Sequence, residues 1–198
     1  IAARDYGTEP KQAMLPYIER RMAVSRPMFI LGCKDTVPEQ PYARQLIGEL
    51  AATCVCGKSA PLYERLYRDG LIDRTFDPDY FTFPDGACAM FSGESRDPQA
   101  VRAALEAEMR RIADGGLEDA VFTRMKKAAY GKYIRRTNDP AEVCRMQAEA
   151  CFSGASCFDF AEVFHSVTKQ DIVRRIRQWS ADGMTSLAVI APQREDNT

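Results

Sequence analysis

The stretch LIDRTFDPDYFTFPDGACAMFSG, residues 71–93, holds two strand-like runs, Leu71–Phe83 and Ala87–Gly93, separated by Pro84-Asp85-Gly86. Pro, Asp and Gly in succession are typical of a tight turn, because each of them suits the backbone angles that a turn requires. Two strand-like runs joined by such a turn predict a β-hairpin. The segments around the hairpin then decide the class of fold.

On both sides of the hairpin, the hydrophobic spacing predicts helices and strands. In chain order the predicted elements are a strand over Val24–Cys33, a helix over Glu39–Cys56, a short helix from Ser59 to Gly70, the hairpin, a series of helices that begins at Asp97-Pro98, and a strand over Thr185–Ala191. The order has no βαβ alternation and no Gly-rich phosphate loop, which argues against a nucleotide-binding fold. We therefore expect an α+β fold, with an antiparallel sheet and helices packed on one face.

The composition and charge are those of an ordinary globular domain. The 198 residues are 45% hydrophobic and 28% charged. The 27 Lys and Arg residues nearly balance the 28 Asp and Glu residues, and this net charge of −1 argues against a dedicated nucleic-acid binder. The longest clear apolar run, Met28–Cys33, is far shorter than the roughly twenty residues of a membrane span.

Histidine and cysteine usage narrows the possible chemistry. The single histidine, His165, excludes any metal site in this chain that needs two histidines, so a catalytic metal would have to come from elsewhere. The seven cysteines are odd in number and include no Cys-x-x-Cys pair, which favours reduced thiols in a cytosolic protein over a disulfide framework. Cys144 and Cys151 lie seven residues apart in a predicted helix, and we expect both on one face as small hydrophobes.

One segment is strongly basic. Its cations, with no acidic residue among them, are Arg124, Lys126, Lys127, Lys132, Arg135 and Arg136. A solvated helix face is the favoured interpretation. Binding of RNA, of an anionic peptide or of a partner subunit is the alternative. RNA binding also requires exposed aromatic residues, and we expect Tyr133 to lie on the apolar face of the helix.

Three segments, taken in order, resemble one family of enzymes. They are Ser25–Asp35 (SRPMFILGCKD), Leu62–Phe76 (LYERLYRDGLIDRTF), and Gly116–Met125 followed by Val167–Asp171 (VTKQD) and the Leu187–Pro192 strand. The second is similar to the strand-entry motif Leu-Phe-x-x-Leu-Arg-x-x-x-Gly-Leu-x-Tyr of the insulinase/pitrilysin family of zinc peptidases, the inverted zincins. The match runs from about residue 23 to 192 and resembles the C-terminal half of these enzymes, above all of the bacterial, Firmicutes-type zinc proteases.

The resemblance implies that this chain is half of an enzyme. Family members carry the zinc motif His-x-x-Glu-His and a downstream Glu in an N-terminal half, and a homologous C-terminal half without metal closes over the substrate. This chain lacks the motif, so we expect no cofactor and no catalytic residue in it, and zinc in the missing N-terminal half. The expected organisation is a connector from that half over residues 1–22, the α+β domain over 23–192, and a tail over 193–198.

The strand-entry motif departs from the pattern of active family members, which place an Arg and a Tyr where they reach towards the substrate. The Arg position aligns with Tyr67, or with Arg68 after a slip of one residue, and the Tyr position aligns with Asp73, next to Arg74. One hypothesis is that these four residues line the substrate cleft. The alternative is that Tyr67 is a boundary aromatic residue and that the three charges are solvated.

Two functions follow from the resemblance. In the first, the chain encloses a peptide substrate opposite the zinc-bearing N-terminal half of the same protein. In the second, suggested by the missing Arg and Tyr, it is an interaction subunit of an inactive family member that pairs with an active peptidase. The expected partners are therefore that N-terminal half, a peptide substrate and a related subunit in a homo- or heterodimer, with no nucleic acid and no membrane.

Overall fold

The computed structural model describes residues 10–35, 41–83, 86–152 and 155–193. Within these ranges the chain has five strands, seven α-helices and one 3₁₀ turn. The strands are β1 (Tyr17–Met22), β2 (Met28–Asp35), β3 (Asp77–Phe83), β4 (Gly86–Glu94) and β5 (Thr185–Pro192). The helices are α1 (Pro41–Cys56), α2 (Pro61–Arg68), α3 (Pro98–Gly115), α4 (Asp119–Arg136), α5 (Pro140–Phe152), α6 (Phe160–Ser166) and α7 (Lys169–Trp179), and the 3₁₀ turn is Cys157–Asp159.

The strands form one sheet in the order β1-β5-β2-β4-β3. The pairs β5–β2, β2–β4 and β4–β3 are antiparallel, and β3 and β4 form the predicted hairpin, whose turn residues Pro84 and Asp85 lie outside the described residues. The α+β fold is thus confirmed. The sheet is mixed rather than purely antiparallel, because the edge strand β1 runs parallel to its neighbour β5.

Strand β1 lies within the segment that is predicted to be a connector. The sequence predicts a connector over residues 1–22, but residues 17–22 are part of the sheet. The sequence YIERRM carries no burial pattern because nearly all of its side chains are exposed, so its backbone pairing with β5 has no signal in the hydrophobic spacing. Residues 1–9 of the predicted connector and residues 194–198 of the predicted tail lie outside the described residues.

The segment before β1 is hydrogen-bonded to the loop before β5, to the start of β5 and to helix α3. The Ala13 amide donates to the Gly183 carbonyl at 2.8 Å, and the Ser186 hydroxyl donates to the Leu15 carbonyl at 2.6 Å. The Arg102 guanidinium of α3 donates to the Pro16 carbonyl at 2.9 Å. These contacts fix the position at which β1 enters the sheet.

Local signals placed several element ends correctly. The Asp97 side chain accepts a hydrogen bond from the Ala100 amide at 3.0 Å and so caps α3, as the sequence predicts. Helix α7 begins at a complete capping box between Thr168 and Asp171. Helix α2 differs, because Ala60 rather than Ser59 is its N-cap and makes no side-chain hydrogen bond.

Two strands are shorter at their beginning than the sequence predicts. Strand β2 begins at Met28 rather than Val24, since Pro27 has no amide hydrogen with which to extend the ladder. Strand β3 begins at Asp77 rather than Leu71. Residues 71–76 instead form the turn that leads from α2 into the sheet.

The helices cover one face of the sheet, as expected. Along β2 the burial alternates: Phe29 and Leu31 are buried, whereas Met28 and Ile30 are exposed. The buried set packs with helices α1, α3 and α7 in one continuous core, and Trp179 lies fully inside it. Each large apolar side chain buried in this way contributes about 1.5–3 kcal/mol.

A charged pair lies inside this core. The Asp35 carboxylate of β2 and the Arg175 guanidinium of α7 are 1% and 2% exposed, and Arg175 Nη1 donates to both carboxylate oxygens at 3.0 and 2.9 Å. The buried Tyr80 hydroxyl of β3 donates to the same carboxylate at 2.9 Å. One carboxylate therefore joins two strands to helix α7.

We expect the substitution Asp35→Asn to lower the free energy of unfolding by about 3–5 kcal/mol, because it leaves the Arg175 charge buried without a counter-charge. Urea denaturation of the variant measures this loss. Asp77→Asn, at an exposed position of β3, is the matched control and should change stability by less than about 0.5 kcal/mol. A loss no larger than that of the control would contradict the assigned role of the pair.

Candidate peptide-binding groove

The face of the sheet that the helices leave uncovered contains an apolar groove. It has a volume of about 550 Å³ and lies across four strands. Its apolar floor is formed by Ile18 of β1, Met28 and Ile30 of β2, and Ala188 and Ile190 of β5. These side chains contribute large apolar surface outside the core, which is typical of a binding surface.

Two opposite charges lie on opposite sides of the groove. Strand register places Arg20 beside Ile190, Ile190 beside Met28, and Met28 beside Glu94, in one row across the sheet. Three interstrand spacings separate the backbones of Arg20 and Glu94 by about 14 Å. Within the described residues, neither side chain forms a salt bridge.

The predicted site residues Tyr67 and Arg68 lie at the end of α2. Tyr67 is 44% exposed, and its ring stacks on Tyr63 with 6.0 Å between centroids. Arg68 is paired with Glu64 one turn earlier in the helix at 2.7 Å. Neither residue lines the groove, and a role for them in substrate contact stays a prediction.

The predicted residue Asp73 organises the turn that leads to the groove. Its Oδ1 accepts hydrogen bonds from the Thr75 amide at 2.8 Å and from the Thr75 hydroxyl at 2.6 Å. These bonds hold the pKa of Asp73 below its usual value, and Arg26, at 3.9 Å, adds to the effect. The neighbouring Arg74 is exposed, and its role in substrate contact, like that of Asp73, stays a prediction.

Thr75 is the link between this turn and the groove. It lines the groove, and its hydroxyl oxygen accepts a hydrogen bond from the Glu94 amide at 3.3 Å. Gly93 permits this approach, because a Cβ at that position would lie 3.0 Å from the Phe76 Cα. The turn therefore packs against the end of β4 and supplies part of the groove wall.

Sequence reasoning missed the groove residues Arg20, Thr75 and Glu94. A signal was present in β2, where Met28, Phe29, Ile30 and Leu31 are all large and apolar, although a strand with one solvated face alternates. This pattern indicates that both faces of β2 carry apolar surface. The charges on either side could not be inferred, since the alignment of β1 with β4 requires the full sheet order.

The basic run is engaged in contacts within the molecule. Lys126 of α4 donates to the Val167 carbonyl at 2.7 Å, and burial lowers its pKa. Arg124 donates to the Ser59 carbonyl at 3.1 Å, and Arg136 pairs with Glu142 of α5 at 2.8 Å. Three of the six basic residues thus have structural contacts within the molecule, as the helix-face interpretation predicts.

The described cysteines are free thiols, of which some are buried and some exposed. Burial raises the pKa of Cys54 to about 12 and also raises that of Cys33, so these thiols stay protonated. Cys144 and Cys151 are exposed, which corrects the prediction that they act as buried small hydrophobes. Helix α5 packs instead through Met146 and Ala150.

In the described ranges, no three His, Cys, Asp or Glu side chains come together in a group that could hold a metal ion. Nor does any helix there combine the length and the apolar character needed to cross a membrane.

We expect the substitution Thr75→Val to raise the pKa of Asp73, because the carboxylate loses the hydroxyl donor that stabilises its charged form. Folding lowers this pKa, so the contribution of Asp73 to stability is present above the unfolded-state pKa of about 3.9 and is lost as pH falls through the folded value. Carboxyl ¹³C NMR titration measures the shift. Thr82→Val, at an exposed position of β3, should leave it unchanged, and an unchanged pKa in Thr75→Val would refute the assignment.

Comparison with known proteins gives both a relative and structural neighbours. No protein-family model matches the chain. The chain is 23% identical over 179 residues to an uncharacterized zinc protease of Bacillus subtilis, YmfH, an alignment that covers 88% of this chain and 42% of that protein.

Among solved structures, the fold matches a chain of Alicyclobacillus acidocaldarius described as an M16-like peptidase. The TM-score is 0.87 at 17% identity, over 96% of this chain and 46% of that one. It also matches a domain of Bordetella parapertussis described as the inactive peptidase domain of a zinc protease, with a TM-score of 0.72 at 18% identity, over 90% and 97% of the two chains.

This chain thus spans less than half the length of the Bacillus and Alicyclobacillus proteins, but nearly all of the Bordetella domain. The matches agree with the resemblance inferred from the three sequence segments. That resemblance is confirmed, and the fold is that of about half of the Alicyclobacillus M16-like peptidase and of the Bordetella inactive domain.

Proposed function

We propose that this chain is the non-metal-binding half of a zinc metallopeptidase and encloses a peptide substrate opposite a zinc-bearing N-terminal half that the chain does not contain. Two observations support the proposal: similarity to one half of longer zinc proteases, and similarity to a domain described as inactive. The descriptions of those proteins are consistent with a half that contributes no metal ligand.

The observation that carries the proposal is the uncovered, apolar face of the sheet. A sheet face with exposed Ile18, Met28 and Ile30 favours burial against an apolar partner, and a groove of about 550 Å³ suits an extended peptide segment. In the complete enzyme, zinc would supply an activated water and polarise the peptide carbonyl. The groove residues would hold the peptide and exclude water when the two halves close.

A second candidate function is that of an interaction subunit of an inactive family member paired with an active peptidase. The strand-entry motif favours this function. By the resemblance, active family members have Arg and Tyr at the positions where this chain has Tyr67 and Asp73. Arg68 is held by Glu64 and Asp73 by Thr75, so both charges already have partners within the chain. In this case the same sheet face would contact a related subunit.

Cytoplasmic localisation stays a prediction from the free cysteines.

We expect the full-length protein that contains this chain to bind zinc in stoichiometric amount, and this chain alone to bind none, because the zinc ligands belong to the other half. Elemental mass spectrometry of both proteins measures this, together with hydrolysis of casein before and after treatment with a chelator. Zinc on the isolated chain would overturn the proposal. Zinc on neither protein, with a zinc-bearing related subunit that co-purifies with the full-length protein, would establish the second candidate instead.

In the full-length peptidase, we expect Ile30→Lys to lower kcat/KM for peptide hydrolysis about tenfold, since it places a charge in the apolar floor of the groove. Zinc content should not change. Ile134→Lys on α4 is a matched control, because Ile30 and Ile134 are both 43% exposed. Equal kcat/KM values for the two variants would show that the groove does not hold the substrate.

A further inference from the structure

We propose that the groove selects peptide segments in which a short apolar stretch lies between one basic and one acidic side chain, the basic one next to Glu94 and the acidic one next to Arg20. This selection deepens the proposed function and rests on it, because it takes the occupant of the groove to be a peptide. The argument depends on the spacing of the two charges, on their surroundings and on the apolar floor between them.

The spacing fits an extended peptide that crosses the strands. Arg20 and Glu94 lie at the two ends of a single cross-strand row, with Ile190 and Met28 between them. An extended chain advances about 3.4 Å per residue, so the separation of about 14 Å corresponds to about four residues. Side chains four residues apart in an extended segment project to the same side, and both can therefore face the groove.

The charges that adjoin the two ends of the groove differ in sign, and Arg26, on the Glu94 side, is paired with Asp73 at 3.9 Å. On the Glu94 side, Asp77 of β3 pairs with Ser92 and adds a second carboxylate to the edge of the same face. On the other side, the nearby Glu19 is paired with Arg21 at 3.3 Å, which leaves Arg20 as the cation that lines the groove. The groove is acidic at the β4 end and basic at the β1 end, and its complement is a segment with the opposite polarity.

The floor between the charges is apolar except towards β4, where Ser92 and Thr75 line the groove. Ile18, Ile30, Ala188 and Ile190 offer apolar contact alone, so a polar or charged residue at the centre of the segment would lose its hydration without gaining a partner. An occupant with one charge sign throughout, such as a phosphate polymer, would meet repulsion from Glu94 and Asp77. A peptide with an apolar centre and a mixed pair of charges satisfies all three parts of the groove.

The test uses this chain and fluorescein-labelled peptides with the cores Lys-Val-Leu-Val-Glu, Lys-Val-Leu-Val-Lys, Glu-Val-Leu-Val-Glu and Gln-Val-Leu-Val-Gln. Fluorescence anisotropy gives the Kd of each. We expect the Lys/Glu peptide to bind about tenfold more tightly than the uncharged peptide, with about threefold from each charge contact. This preference should weaken in 1 M salt, because Arg20 is exposed and Glu94 is only half-buried, so salt screens both charges.

Charge-reversal variants of the protein distinguish charge selection from nonspecific peptide binding. Glu94→Lys should bind the Glu/Glu peptide most tightly, and Arg20→Glu should bind the Lys/Lys peptide most tightly. The matched controls, Glu162→Lys and Lys58→Glu, reverse exposed charges that do not line the groove and should keep the original preference.

The outcomes distinguish the inference from the function on which it rests. Equal affinity for all four peptides, or an unchanged order in Glu94→Lys and Arg20→Glu, would overturn charge selection while leaving peptide binding in place. Failure of all four peptides to bind at millimolar concentration would overturn the inference and remove peptide enclosure from the proposed function. A reversed order in both variants would establish the selection, whatever the zinc content of the full-length protein.

Discussion

The buried ion pair between Asp35 and Arg175 is the constraint on which the two-layer arrangement depends. Removing two charges from water costs several kcal/mol per ion, and only close contact between them with further hydrogen bonds offsets this cost. The carboxylate is satisfied only when α7, β2 and the Tyr80 hydroxyl of β3 are all in place. The pair therefore fixes one position of the helix layer relative to the sheet. Apolar contacts alone, which are not directional, would allow several similar positions.

Tyr80 extends this constraint to helix α1. Its ring lies against Gly48, where any Cβ would come within 2.3 Å of it, and at 6.1 Å from the centroid of Trp179. Since a bulkier residue at position 48 would push the ring away, its hydroxyl could no longer reach Asp35. Two helices and two strands are thus fixed to one another around a single aromatic ring. All of this packing lies on one face, and the opposite face is left available for the groove.

The sequence predicted those parts of the fold whose cause is local. The start of α3 at Asp97 and the β3–β4 hairpin each depend on residues within a few positions, and both were predicted. Strand β1 depends instead on pairing with residues about 170 positions away, and its charged, exposed sequence gave no period to detect. In the candidate site, too, the local part was predictable and the part that depends on the fold was not. The strand-entry motif was recognised as a segment, but Thr75 and Glu94 become neighbours only because Gly93 lets that segment approach β4.

The parallel pairing of β1 with β5 has a mechanical consequence. A force applied to β1 from its N-terminal side acts along the strand, so it loads all the β1–β5 hydrogen bonds together in shear instead of opening them one after another. The contacts of Ala13 and Pro16 share this load with the β5 loop and helix α3. Ile18 and Arg20, which line the groove, both belong to β1. A displacement of the preceding chain therefore moves these two residues together and changes the shape of the groove.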